Sequence, residues 1–148
     1  MRLSRASIRV CLVSALLPMA AGCSAPGTPA RTTYVTPPPE TYTLHTFDLA
    51  VDDTAAAAKV DGAEVAGGFF GLAGATPMLG RTTTPADFVV GSVRPIVILS
   101  QDVWAQRFGS DPTIIGRTIM LDGKPTVVVG IMPKGFSVPP GALVWTPR

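Results

Sequence analysis

Pro95-Ile96-Val97-Ile98-Leu99-Ser100 opens the stretch that decides the fold. It runs on through Gln101-Asp102-Val103-Trp104-Ala105-Gln106-Arg107-Phe108-Gly109 and Gly116-Arg117-Thr118-Ile119-Met120-Leu121-Asp122-Gly123-Lys124. It closes with Val127-Val128-Val129-Gly130-Ile131-Met132-Pro133. Ile96 to Leu99 is a short apolar run after a proline, the pattern of a buried strand. Ser100 is a helix N-cap, and Asp102 falls in the first turn, where the helix dipole favours an anion. Val103, Trp104, Arg107 and Phe108 share helical spacing, so one face can bury Trp104 and Phe108. Gly109 ends the helix as a left-handed C-cap. Asp122-Gly123 sits between two β-rich runs and predicts a hairpin, because both turn positions accept positive φ. Pro125 has no N–H for a ladder, so it belongs at the start or edge of its strand.

Working outward, Thr41 to Val51 alternates like a strand, Asp52-Asp53 marks a turn, and Lys59 to Val65 alternates like a returning strand. These predict an antiparallel pair with Ala55 to Ala58 near its turn. Thr84-Pro85 is a helix start, an N-cap followed by proline at the first helical position. Pro139, Pro140 and Gly141 argue for extended chain over helix near the end. The expected class is α+β, with antiparallel or mixed small sheets and short helices.

The ends carry different signals. Arg2, Arg5 and Arg9 precede the apolar run Val10 to Met19, the pattern of a secretory signal too short to span a membrane. The run closes on Ala20-Ala21-Gly22-Cys23, which resembles a bacterial lipobox with Ala20 where leucine is more usual. Cys23 is therefore the candidate lipidation site. The alternative is an ordinary cleaved signal in which Cys23 has no role. Cys11 would leave with the signal, so the mature chain would hold one cysteine and no internal disulfide. Residues 24–40, rich in Pro, Thr, Ala and Gly, read as a tether between anchor and domain. The expected layout is a signal at 1–23, a tether at 24–40 and a domain at 41–148.

The 148 residues suffice for one domain with a real core; 47% are hydrophobic and 15% charged. The formal charge is +2, and the three arginines of the signal account for it: without them nine basic residues face ten acidic ones. No basic stripe remains for phosphates, so a nucleic-acid partner is not expected. His45 is the one histidine, without the companions a metal site needs. Ser100 follows a strand but lacks the glycines of a nucleophile elbow. Asp52-Asp53 and Asp61-Gly62 lack the calcium-loop spacing and read as turns. Trp104 and Trp145 fit apolar patterns and read as core. Gly67-Gly68 reads as backbone geometry, since no dinucleotide fingerprint accompanies it. No catalytic, cofactor or metal site is expected, and the chain does not read as an enzyme.

The order of these motifs resembles the periplasmic core domain of MacB-type ABC transporter permeases. The resemblance runs from Tyr42 to Pro147. It is carried by Gly67-Gly68-Phe69-Phe70-Gly71-Leu72, Gly80-Arg81, Thr84-Pro85 with Asp87, the Pro95–Pro133 stretch, and Met132-Pro133 with Gly135-Phe136. It implies a non-catalytic domain acting by protein–protein contact in an envelope export assembly, with a permease, an ATPase or periplasmic adaptor proteins as partners. The implied place is the cell envelope, exported and held to the membrane by a lipid, facing the periplasm or the cell exterior. In that family the core domain sits between two membrane helices and continues well beyond the counterpart of Arg148. This chain therefore reads as a partial core domain with strand edges left open. A stand-alone lipoprotein binding a small ligand or peptide, and a non-functional permease fragment, are the alternatives. An envelope hydrolase lacks a catalytic constellation.

Overall fold

A computed structural model describes residues 32–89 and 95–148. Its strands are β1 (Tyr42–Ala50), β2 (Ala58–Val65), β3 (Leu79–Gly80), β4 (Ile96–Ser100), β5 (Thr118–Leu121), β6 (Lys124–Met132) and β7 (Val144–Pro147). Two helices join them, α1 (Phe69–Ala73) and α2 (Gln101–Phe108). The class is α+β, as expected, but the strands merge into one mixed sheet. In spatial order it runs β3-β6-β4-β7-β2-β1-β5, and β5 also pairs with β6. Six strands therefore form a closed circuit, with β3 added on the outer edge of β6.

The local signals place these elements. The Ser100 hydroxyl accepts the Val103 N–H at 3.2 Å, and Gly109 stops α2 at φ 60°. Asp122 and Gly123 take φ values of 51° and 71° in the β5–β6 turn. β1 and β2 pair antiparallel from Tyr42↔Val65 to Leu49↔Ala58. Pro125 is the second residue of β6, opposite Met120.

Two apolar layers form on the two faces of the sheet. Phe47 and Leu49 of β1, Val60 of β2, Val97 and Leu99 of β4, Ile119 and Leu121 of β5, Val128 and Ile131 of β6 and Val144 of β7 belong to one cluster, inside the ring. Val103, Trp104 and Phe108 of α2 join it. The other cluster lies outside and holds Ala63, Val65, Ile98, Met132 and Trp145, covered by Phe69 and Phe70 of α1 and by Phe136, Val138 and Ala142. β4 lies between β6 and β7 with both faces covered, so all five residues are buried. That is why it is a continuous apolar run. Both indoles reach a carbonyl: Trp104 Nε1 donates to Asp111 O at 2.9 Å and Trp145 Nε1 to Val138 O at 2.7 Å.

One expectation is corrected. Asp61-Gly62 is not a turn but the middle of β2, opposite Thr46 and His45. Gly62 also pairs with Val144 of β7, and a Cβ there would overlap the Val144 carbonyl and side chain. The glycine is present because β7 comes too close for any side chain. Within the stretch read as tether, residues 32–38 form no helix or strand, yet Pro37 is buried and the Tyr34 ring stands edge-on to Phe136 at 4.8 Å.

Gly62→Ala is expected to destabilise the domain by about 1–3 kcal/mol, the usual cost of overpacking. Gly71 has open space around its Cβ position within α1. There alanine is expected to be neutral or to stabilise by up to about 1 kcal/mol. Urea unfolding midpoints of the two variants check the contrast.

Candidate functional site

The best-organised polar cluster lies in the connection from β3 to β4. Asp87 is 1% exposed, and burying a carboxylate requires partners. Arg81 supplies a two-pronged one: Nη1 donates to Oδ2 at 2.8 Å and Nη2 to Oδ1 at 3.2 Å. The Thr84 N–H and hydroxyl donate to Oδ2 at 2.7 and 2.8 Å. These contacts tie Arg81 to the one-turn 3₁₀ helix Pro85–Phe88, whose start Thr84-Pro85 announces. The Arg81 hydrogen bond, opposed by burial and aided by Thr84, lowers the Asp87 pKa from 3.8 to about 2. The cluster is a clasp for a loop. Its carboxylate oxygens accept from Arg81 and Thr84.

A second polar contact lies at the ring seam. Asp122 Oδ1 accepts the Asp48 N–H at 2.7 Å, and Asp122 Oδ2 lies 3.3 Å from His45 Nε2. The His45 ring also stands edge-on to Phe47 at 4.6 Å. His45 is thus an exposed strand residue with one carboxylate neighbour. Asp52 and Asp111 are each held below their ordinary pKa by the hydroxyl and N–H of Thr54 and Thr113, two residues on. Among the described residues no three His, Cys, Asp or Glu side chains come together to hold a metal. Ser100 is a helix cap, and Trp104 and Trp145 are core. Cys23, the candidate lipidation site, lies outside the described residues.

The surface offers more than the clefts. The ladder between β1 and β5 covers Leu49↔Leu121 and Ala50↔Met120 and stops there. Asp48 uses its N–H and C=O outward, toward Asp122. Backbone direction alternates along a strand, so Thr46 and Leu44 also point their N–H and C=O outward, past the end of β5. Leu44 is 59% exposed. Beside this edge lies a shallow, open pocket of about 370 Å³, lined by Leu44, His45, Thr46, Asp61, Pro140 and Gly141. This edge was not legible in the sequence, where β1 looks like any alternating strand. The Arg81–Asp87 pairing was also missed, although both residues flank Thr84-Pro85.

Comparison with known proteins gives a consistent result. Residues 26–147 match the family model described as MacB-like periplasmic core domain. Among solved structures, the chain is similar to the extracellular domain of the noncanonic ABC-type transporter YknZ from Gram-positive bacteria. There the identity is 19% and the TM-score 0.58, over 72% of this chain and 52% of that one. It is also similar to the periplasmic region of MacB from Actinobacillus actinomycetemcomitans, at 19% identity and TM-score 0.54, over 72% of this chain and 46% of that one. The chain thus spans about half the length of these solved domains. No curated protein sequence matches it.

The clasp yields a pH prediction. A carboxylate whose folded pKa lies below its unfolded value stabilises the fold above about pH 4, and that contribution fades as pH falls toward 2. Asp87→Asn is expected to cost about 2 kcal/mol at pH 7, the size of the shift expressed as energy. Wild-type and variant urea midpoints should converge as pH is lowered from 4 to 2.

Proposed function

The chain belongs to the family of MacB-like periplasmic core domains, and from that premise we propose that it is a non-catalytic extracytoplasmic domain working by protein–protein contact in an envelope export assembly. The family match across residues 26–147 carries this reading. Two features support it. The buried carboxylate is engaged in holding a loop. And β1 presents an open, partly apolar edge at Leu44 and Thr46, the kind of edge to which a partner's extended segment adds as a strand. Partners of the stated kind are a permease, an ATPase or a periplasmic adaptor protein.

Membrane attachment through a lipid on Cys23 completes the proposal. The signal-like residues 1–23 end on a lipobox-like Ala20-Ala21-Gly22-Cys23. An acylated terminus anchors a domain without a spanning helix. Among the described residues no helix is long and apolar enough to cross a membrane.

A photo-crosslinking amino acid in place of Leu44 is expected to give an adduct with a permease or adaptor subunit in the source cells. Thr46→Pro removes an outward N–H that the β1–β2 ladder does not use, so it should abolish that adduct while the circular dichroism stays unchanged. Survival of the adduct in that variant would sink strand addition. Lack of any protein adduct at Leu44 would sink the contact role of this edge. For the anchor, Cys23→Ser should move the chain from the membrane to the soluble fraction and remove the mass of the acyl groups. An unchanged mass and fraction would sink the lipid.

A further inference from the structure

Part of the chain that covers the outer layer of the sheet carries no charge. Segments 32–39 and 65–80 contain no Asp, Glu, Lys or Arg, in a protein with 15% charged residues. They are physically joined: the Val35 N–H donates to the Ala73 carbonyl at 3.2 Å, at the end of α1. Val35 and Leu72 flank this bond and are 61% and 56% exposed. Tyr34, next along, packs on Phe136. Two residues from Phe136, Lys134 is exposed and makes no ion pair among the described residues. An apolar, uncharged surface with a lysine beside it has the chemistry of a membrane-surface contact: leucine and valine for the acyl boundary, ammonium for headgroup phosphates.

Chain length decides for lipid over a protein occupant. Resting on the reading that Cys23 is lipidated, the covalent path from anchor to domain is short. Thr32 follows Cys23 by nine positions (32 against 23), and Tyr34 and Pro37 already pack on the domain. Nine residues fully stretched reach at most about 30 Å. The surface around Val35 therefore cannot stand far from the bilayer, and it is the first part of the domain that the anchor delivers there. We propose that the uncharged face around Val35 and Leu72 rests on the lipid surface, with Lys134 meeting anionic headgroups. The domain is thereby oriented and not merely tethered. The turn of the β1–β2 hairpin, at Asp52 and Asp53, lies at the opposite end of β1, which runs its nine residues from Tyr42, paired with Val65 near α1, to Ala50.

The full chain, in isolated membranes, tests this with a benzophenone amino acid at position 72 and, as control, at position 53. Phospholipid adducts at 72 are expected to exceed those at 53 by roughly tenfold, the factor set by burying one leucine side chain. Equal lipid adducts at both positions, or protein adducts in place of lipid at 72, would overturn the proposal. Intact mass of the same sample separates it from the anchor. An acylated Cys23 without lipid adducts at 72 sinks the oriented face alone. An unmodified Cys23 with adducts at 72 keeps the face and sinks the anchor. An unmodified Cys23 without adducts sinks both.

Discussion

The fold depends on what β6 does with its two edges. On one edge it holds β4 in parallel; on the other it holds β5 along its first half and β3 near its end. The hand-over is made possible by an irregularity. The β4–β6 register shifts after Val97, where Val128 is followed by Gly130 in the pairing and Val129 is left over. Such a bulge lets Val128 and Ile131 both face the inner core despite their odd spacing. It also puts Gly130 against the chain at Arg81, where a Cβ would overlap the Arg81 carbonyl. The Arg81 N–H then bonds to the Val129 carbonyl at 2.8 Å. One extra residue in one strand thus closes the ring, seats β3 and starts the loop that Arg81 and Asp87 clasp.

Much of this was legible because it is local. Ser100, Gly109 and Asp122-Gly123 each fix backbone geometry within a few residues, so β4, α2 and the β5–β6 hairpin follow from sequence alone. The β1–β2 pair was legible from alternation. What was not legible is non-local. β7 spans four residues ending in proline, too few to show a period, and it exists because β2 and β4 offer it edges on both sides. α1 has five residues with a glycine in the middle, so propensity argues against it; burial of Phe69, Phe70 and Ala73 overrides that. Gly62 looked like punctuation because a glycine forced by a neighbouring strand and a glycine forced by a turn are the same letter.

The candidate site shows the same division. From their sequence neighbours Ser100 reads as a cap and Asp52-Asp53 as a turn, whereas the clasp that gives Asp87 a structural reason for its burial joins residues of a loop and shows only in the structure. A surface, by contrast, is made of residues distant in sequence. The open edge of β1 arises from where β5 stops, at Leu49 and Ala50. The uncharged part of the outer layer arises from segment 32–39 meeting α1. Neither can be read from one stretch of chain.

Ring closure also bears on how such a domain could work. Each of the six ring strands has a neighbour on both sides for at least part of its length; β2, β4 and β5 also have short unpaired stretches, and the longest is the first half of β1, on the side away from β2. One long edge offers a partner strand a defined place to add, whereas several long edges invite indiscriminate pairing. The polar clasp at Asp48, Asp122 and His45 marks where that edge begins. Because Asp122 occupies the Asp48 N–H and carbonyl, an added strand, parallel or antiparallel, would pair with β1 only from Thr46 back toward Tyr42. That direction leads along β1 toward Val65 and α1. At the Tyr42 end that stretch meets Arg148, whose guanidinium donates to the Thr43 hydroxyl and the Glu40 carbonyl, so a partner strand reaching there would lie beside a cation and a carboxylate-bearing residue.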